Sequence, residues 1–165
     1  MIGGEGQIVE VDETKIGKRK YNRGRVVDGQ WVFGMVERGS GRLRLEVCPE
    51  NKRDKNTLLA LLQQNVSPGT LIMSDCWRGY NGLEEAGYQH LTVNHSKFYV
   101  DPATGAHTQQ IESTWRALKR RLSRGGVKQA DLGLHFAEFL WFKKNKINIF
   151  STFVNDLAKI YNLDA

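Results

Sequence analysis

QWVFGMVERGSGRLRLEVCP, residues 30 to 49, limits the possible folds more than any other stretch. Trp31, Phe33 and Met35 recur with period two. Leu43, Leu45 and Val47 then alternate with Arg42, Arg44 and Glu46. A period of two puts successive side chains on opposite faces of a strand. The Gly-Ser-Gly between the two segments is a tight turn, so the strands run antiparallel. Pro49 closes the second strand. Upstream, Ile8, Val9 and Val11 surround Glu10 in GQIVEVDET, which predicts a strand over 7–14. The segment between, KIGKRKYNRGRVVDG, is polar and glycine-punctuated and reads as a loop or wide hairpin. Three consecutive strands imply an antiparallel meander.

The period then changes. In DKNTLLALLQQNV, Leu58, Leu61 and Leu62 share a helical face, and Asp54 or Asn56 can cap the start. SPGT ends this helix and TLIMSD is a fourth strand. YNGLEEAG reads as a short helix stopped by Gly87, and YQHLTVN as a fifth strand. NHSKFYVDPATGAHT is a polar loop long enough to be functional rather than a mere connector. In IESTWRALKRRL, Ile111, Trp115, Leu118 and Leu122 recur at i, i+4, i+7 and i+11, a strong amphipathic helix. DLGLHFAEFLWFKKNK predicts a further helix, and INIFSTFVNDLAKIYN a last one. Strands that alternate with helices join a sheet in parallel. The expected class is α/β, a ribonuclease H-like fold with a mixed five-stranded sheet flanked by helices. One domain is expected over 1–146, followed by a C-terminal helical tail over 147–165.

A chain of 165 residues can bury the core of one such domain. Its two cysteines, Cys48 and Cys76, are too few for a disulfide framework and lack zinc-ligand spacing, which points to a reducing compartment. No apolar run approaches the roughly 18 residues of a membrane span. The N-terminus has neither a charged leader nor an apolar signal core. Net charge is +6 and its distribution is uneven. Lys18, Arg19, Lys20, Arg23 and Arg25 crowd into KRKYNRGR. Residues 113 to 130 hold Arg116, Lys119, Arg120, Arg121, Arg124 and Lys128 and no acid. Each segment is either a solvated face or the footprint of a polyanion.

The acids carry the chemistry. Asp75 ends the fourth strand, in LIMSDCWRGY, and Asp12 lies near the end of the first. If those strands are neighbours, both carboxylates reach the same sheet edge. Glu112 sits in the first turn of the basic helix, with Arg116 and Lys119 on its face. Three converging carboxylates repel one another unless a cation sits among them, and hard oxygen ligands favour Mg²⁺ or Mn²⁺. Two such ions about 3.5–4 Å apart serve phosphodiester chemistry by activating the attacking oxygen and stabilising the leaving one. Plainer readings stand beside this one. Glu112 and Arg116 could form only a helical salt bridge, and alternation does not choose between Asp12 and Glu13. His107 could contact phosphate or cap its loop. His90, His95 and His135 read as structural, and Trp77 as stacking on a base or covering the sheet edge.

IVEVDET, LIMSDCWRGY, LTVNHS, YVDPATGAHTQQIESTWRALKRR and EFLW resemble the Merlin-type DDE transposases and their bacterial insertion-sequence relatives. The resemblance spans about Gly3 to Phe142 and is most specific in HTQQIESTWRALKRR. It implies that the catalytic, metal-binding acids are Asp12, Asp75 and Glu112, choosing Asp12 over Glu13. It implies DNA cleavage and strand transfer with Mg²⁺ (or Mn²⁺), two ions in all. Water attacks a phosphodiester at the element end, and the freed 3′-hydroxyl then attacks target DNA. Asp12 and Asp75 would bridge the ions and Glu112 would complete one shell. Lys119 and Arg116 would position phosphate, while KRKYNRGR, Arg120, Arg121 and Arg124 would add salt-sensitive affinity. Relatives carry an N-terminal DNA-recognition region, which this chain is expected to lack. The competing expectations are a catalytically silent DNA-binding remnant and a ribonuclease H or junction resolvase of the same fold. The expected partners are DNA and a second copy in a homodimer, with Trp141, Phe142 and Phe150 as candidate contacts, and no membrane. The expected location is the nucleus in a eukaryote, otherwise the cytoplasm or nucleoid.

Overall fold

The computed structural model describes residues 1–17, 29–122 and 128–161. They divide into two compact units, Met1–Gln129 and Ala130–Ala165. In the first unit, β1 (Ile2–Gly3) is followed by β2 (Ile8–Ile16), β3 (Gln30–Glu37) and β4 (Leu43–Val47). Next come α1 (Lys55–Asn65), β5 (Val66–Ser67), β6 (Leu71–Asp75), β7 (Gln89–Val93) and α2 (Gln109–Leu122). The main sheet has the order β4-β3-β2-β6-β7. β2, β3 and β4 pair antiparallel, and β6 and β7 add in parallel beside β2. This is the mixed five-stranded sheet expected from the change of period. β1 and β5 form a separate parallel pair.

The sheet is covered on both faces. Val9, Val11, Phe33, Met35 and Ile72 pack with Leu58, Leu61 and Leu62 of α1 in one core that also takes in Tyr80, Leu83 and Tyr88. Asp54 caps α1 by accepting the Thr57 N–H at 3.0 Å. Ile111, Trp115 and Leu118 are the buried stripe of α2, which packs on β2 and β3 from the other side.

Two local expectations fail. The first strand runs on to Ile16, beyond the expected Thr14. Residues 81 to 87 are a chain of turns rather than a helix: Gly82 (φ 89°), inside the expected helix, lies in the left-handed region that a right-handed helix excludes.

The second unit pairs α3 (Leu132–Lys144) with α4 (Ile149–Ile160). Trp141 joins them. Its indole donates to Asp156 at 2.9 Å and its ring meets Phe153 edge-on at 5.8 Å. Phe142 packs edge-on against the same ring, while Phe150 is exposed. Among the described residues, no helix is long and apolar enough to cross a membrane.

Candidate active site

Strand β2 separates its polar residues by face. Val9 and Val11 belong to the α1 core. Glu10 and Asp12 point the other way and are bonded to residues of α2. Glu13 returns to the α1 side, where its carboxyl lies near the Tyr80 hydroxyl. Glu13 Oε1 and Tyr80 Oη are both buried without a well-formed hydrogen bond, yet close enough to influence each other's ionisation. Burial first, then Asp12 and Asp75, push Glu13 up to about 7. Of the two neighbouring acids, Asp12 is therefore the one that faces the helix carrying Glu112.

Register brings Asp12 to Asp75. Glu10 stands opposite Met73 across the parallel pair. Two residues further along, Asp12 comes level with Asp75. Asp12 Oδ1 accepts the Glu13 N–H at 2.8 Å, and Oδ2 accepts the Trp115 indole N–H at 3.0 Å. Asp75 Oδ1 accepts the Trp77 N–H at 2.9 Å. Burial, and next the Asp75 carboxylate, push Asp12 up to about 6, and Glu112 adds a smaller push. Repulsion of this kind is what a bound cation relieves. The donors are hard oxygens on adjacent strands, so the Asp12–Asp75 pair fits a divalent ion such as Mg²⁺ or Mn²⁺.

The expected shell of three carboxylates is not assembled. Among the described residues no three His, Cys, Asp or Glu side chains stand close enough to hold a metal ion together. The reason lies in what holds Glu112. Its Oε1 accepts the Thr108 hydroxyl at 3.0 Å and lies 3.2 Å from His95 Nε2. His95 and Thr108 are themselves 2.7 Å apart. Glu112 is thus partnered by the loop ahead of α2 rather than by Arg116. His95, expected to be merely structural, belongs to the immediate surroundings of a candidate catalytic acid.

Glu10 went unassigned as a site residue, yet it sets where α2 begins. Its fully buried carboxylate takes the Gln110 and Ile111 N–H groups on Oε2 at 2.8 and 3.1 Å, and Arg38 Nε on Oε1 at 2.7 Å. A carboxylate at a helix N-terminus satisfies orphan donors and complements the dipole. Arg38 also donates to the His107 carbonyl at 2.7 Å. His107 Nδ1 stands 3.3 Å from Glu10 Oε1 without closing a hydrogen bond. The signal in the sequence was a glutamate at the centre of an apolar alternation.

Gly34 supports the same arrangement from β3. It pairs with Asp12 across the antiparallel ladder. A Cβ there would lie 2.5 Å from Trp115 Cη2 and Cζ2 and 2.8 Å from Ile111 Cδ1. The absent side chain lets the indole lie close to the sheet and reach Asp12.

The basic residues divide in two. Arg116, Lys119, Arg120 and Arg121 are exposed along α2. Lys18, Arg19, Lys20, Arg23, Arg25 and Arg124 lie outside the described residues.

Known proteins share both the sequence pattern and the plan. An uncharacterized transposase-like protein of Haemophilus influenzae is 25% identical over 105 residues, covering 62% of this chain and 84% of the relative. The catalytic core domain of BIV integrase superposes with a TM-score of 0.52 at 16% identity, over 93% of this chain and 97% of that one. The dimeric form of the HTLV-2 integrase catalytic core domain, solved with magnesium, gives a TM-score of 0.53 at 16% identity over 90% of each chain. At that identity the likeness is one of fold, and the fold is ribonuclease H-like. Residues 3–141 match the model of the ISXO2-like transposase domain, and the chain belongs to that family.

Proposed function

We propose that this chain is a DDE transposase catalytic domain that cleaves DNA and transfers strands with a divalent metal. The observation that carries the reading is the level placement of Asp12 and Asp75 on neighbouring parallel strands, facing α2. These two carboxylates would hold Mg²⁺ or Mn²⁺, with Glu112 as the third acid. When bound, the metal supplies charge neutralisation at the reacting phosphodiester. The chain's own groups do the rest. Trp115 and the Glu13 N–H orient the Asp12 carboxylate, and Glu10 fixes the first turn of α2 beside it. Arg116 and Lys119, exposed on that helix, hold backbone phosphate. DNA as substrate puts the protein's work in a nucleus or a nucleoid. The finer Merlin-type affiliation rests on the motifs around Asp12, Asp75 and Glu112.

A second reading, a catalytically silent DNA-binding remnant, is favoured by the engagement of Glu112 with Thr108 and His95. Nicking of supercoiled plasmid in Mn²⁺ at low salt separates the two. Wild-type nicking that disappears in Asp75→Asn supports the transposase reading. DNA binding without nicking by either protein supports the remnant.

A further inference from the structure

On the α1 side of the sheet, next to the strands that carry Asp12 and Asp75, lies a cluster that the acid chemistry does not use. Arg53, just ahead of α1, has its guanidinium carbon 4.2 Å from the ring centre of Trp31 and 4.4 Å from that of Trp77. Its flat cation is therefore held against two indoles. Lys15 Nζ approaches the Trp31 ring at 5.7 Å, and Arg78 approaches the Trp77 ring at 5.6 Å. Three cations and two rings make one connected group.

The group is tied to both acid-bearing strands. Lys15 is three residues beyond Asp12 on β2 and stands opposite Trp31 of β3. Trp77 follows β6, and its N–H holds Asp75. Among the described residues, neither Arg53 nor Arg78 forms an ion pair with a carboxylate. Arg38 and Arg42, by contrast, are each held by a buried glutamate.

The chemistry favours phosphate over a base. Cations already approach both rings, so a base would have to compete with them for the ring faces. A guanidinium packed on its faces keeps its N–H edge, with donors lying in one plane, for an oxyanion. Packing also fixes that plane before any ligand arrives, so little freedom is lost on binding.

We propose that Arg53, held between Trp31 and Trp77 with Lys15 and Arg78 alongside, binds backbone phosphate of the DNA that lies across Asp12 and Asp75. The proposal rests on the functional reading above and adds a contact surface separate from α2.

Anisotropy of a short fluorescein-labelled duplex, titrated in EDTA at several salt concentrations, tests binding apart from catalysis. Arg53→Ala should weaken binding several-fold at low salt. It should also flatten the slope of log affinity against log salt by roughly 0.9, the value of one lost phosphate contact on duplex DNA. Arg53→Lys, which keeps the charge without the fork, should restore the slope but only part of the affinity. Arg78→Ala removes an exposed side chain and decides the matter if Arg53→Ala fails to fold; it too should flatten the slope. Wild-type slopes in the alanine variants that fold would overturn this proposal alone. A wild-type protein that binds no DNA would overturn it together with the functional reading.

Discussion

Replacing Glu10 with glutamine tests whether one buried carboxylate holds α2 in place. The exchange keeps the shape of the side chain and removes its charge. Glutamine has a single acceptor oxygen, but donors converge on Glu10 from two sides: the Gln110 and Ile111 amides on Oε2 and Arg38 Nε on Oε1. Whichever way the amide turns, its NH₂ group faces donors on one side. A hydrogen bond to a charged group contributes about 1.5–3 kcal/mol. The helix-terminal charge adds up to about 2 kcal/mol in a partly buried setting. Breaking a fully buried pair costs about 3–5 kcal/mol, but the Arg38 side chain keeps 21% of its exposure and regains water. The net expectation is about 3 kcal/mol. For a chain of this size that lowers the melting temperature by roughly 6–12 °C. Thermal melting by circular dichroism gives the total, with Glu5→Gln as a control on an exposed glutamate. Amide hydrogen exchange locates the effect, because Gln110 and Ile111 should lose protection before the rest of α2. A loss below about 1 kcal/mol with both amides still protected would refute the reasoning.

Other perturbations follow from the same contacts. Gly34→Ala should cost about 1–3 kcal/mol by overpacking against Trp115. The cost should shrink in a Trp115→Phe background, and purely additive melting shifts across that double-mutant cycle would count against the clash. Glu37 is held down to about 2, chiefly by hydrogen bonds from Arg42, with the Ser40 hydroxyl and the Gly3 N–H assisting. Its folded-state value is lowered, so its stabilisation is fully present above the ordinary value of 4.5 and is lost as pH falls toward 2. Half-exposed Arg42 limits that contribution to about 1–2 kcal/mol. Urea unfolding of Glu37→Gln should show a flatter dependence between those pH values, and a wild-type profile would contradict it. Thr108→Val should free Glu112 Oε1 from the hydroxyl while keeping the side-chain shape. Plasmid nicking should then change while melting shifts by about 1 kcal/mol or less. Unchanged nicking would mean that Thr108 does not position Glu112.

The parts of this molecule that were legible in the sequence are those written in a period. The two alternating segments around Gly39-Ser40-Gly41 predicted β3 and β4 to within a residue or two. The stripe from Ile111 to Leu122 predicted α2 and left Glu112 beside its buried face. The extension of β2 was also present, since Thr14 and Ile16 continue the alternation of Glu10 and Asp12 and are buried. The charge of Lys15 between them masked it. YNGLEEAG misled because Leu83 and Ala86 share a helical spacing, while the deciding feature was backbone at Gly82. β1 and β5, two residues each, are too short to show any period. Glu10 stood out as an acid inside an apolar alternation, but its role depends on Arg38 and on a helix start far along the chain. Alternation alone left Asp12 and Glu13 equivalent, and the family resemblance chose Asp12; which of the two faces α2 depends on Trp115, far along the chain.

The contacts that build the acid edge have a consequence for how the chain acquires it. Glu10 and Gln110 are 100 positions apart, and Trp115 and Asp12 are 103 apart. The meander of β2, β3 and β4 closes through far shorter loops and can form early, since nearby segments meet at lower entropic cost. Asp12 meets Asp75 only when β6 docks, and the seat of α2 draws on residues near both ends of the first unit. The site therefore has no local precursor. A nascent or proteolysed fragment ending before α2 keeps much of the sheet but lacks the helix that orients Asp12. The repelling acids thus come under the control of Trp115 and Glu10 only through contacts that span most of the first unit, and a chain cut short of α2 lacks both contacts.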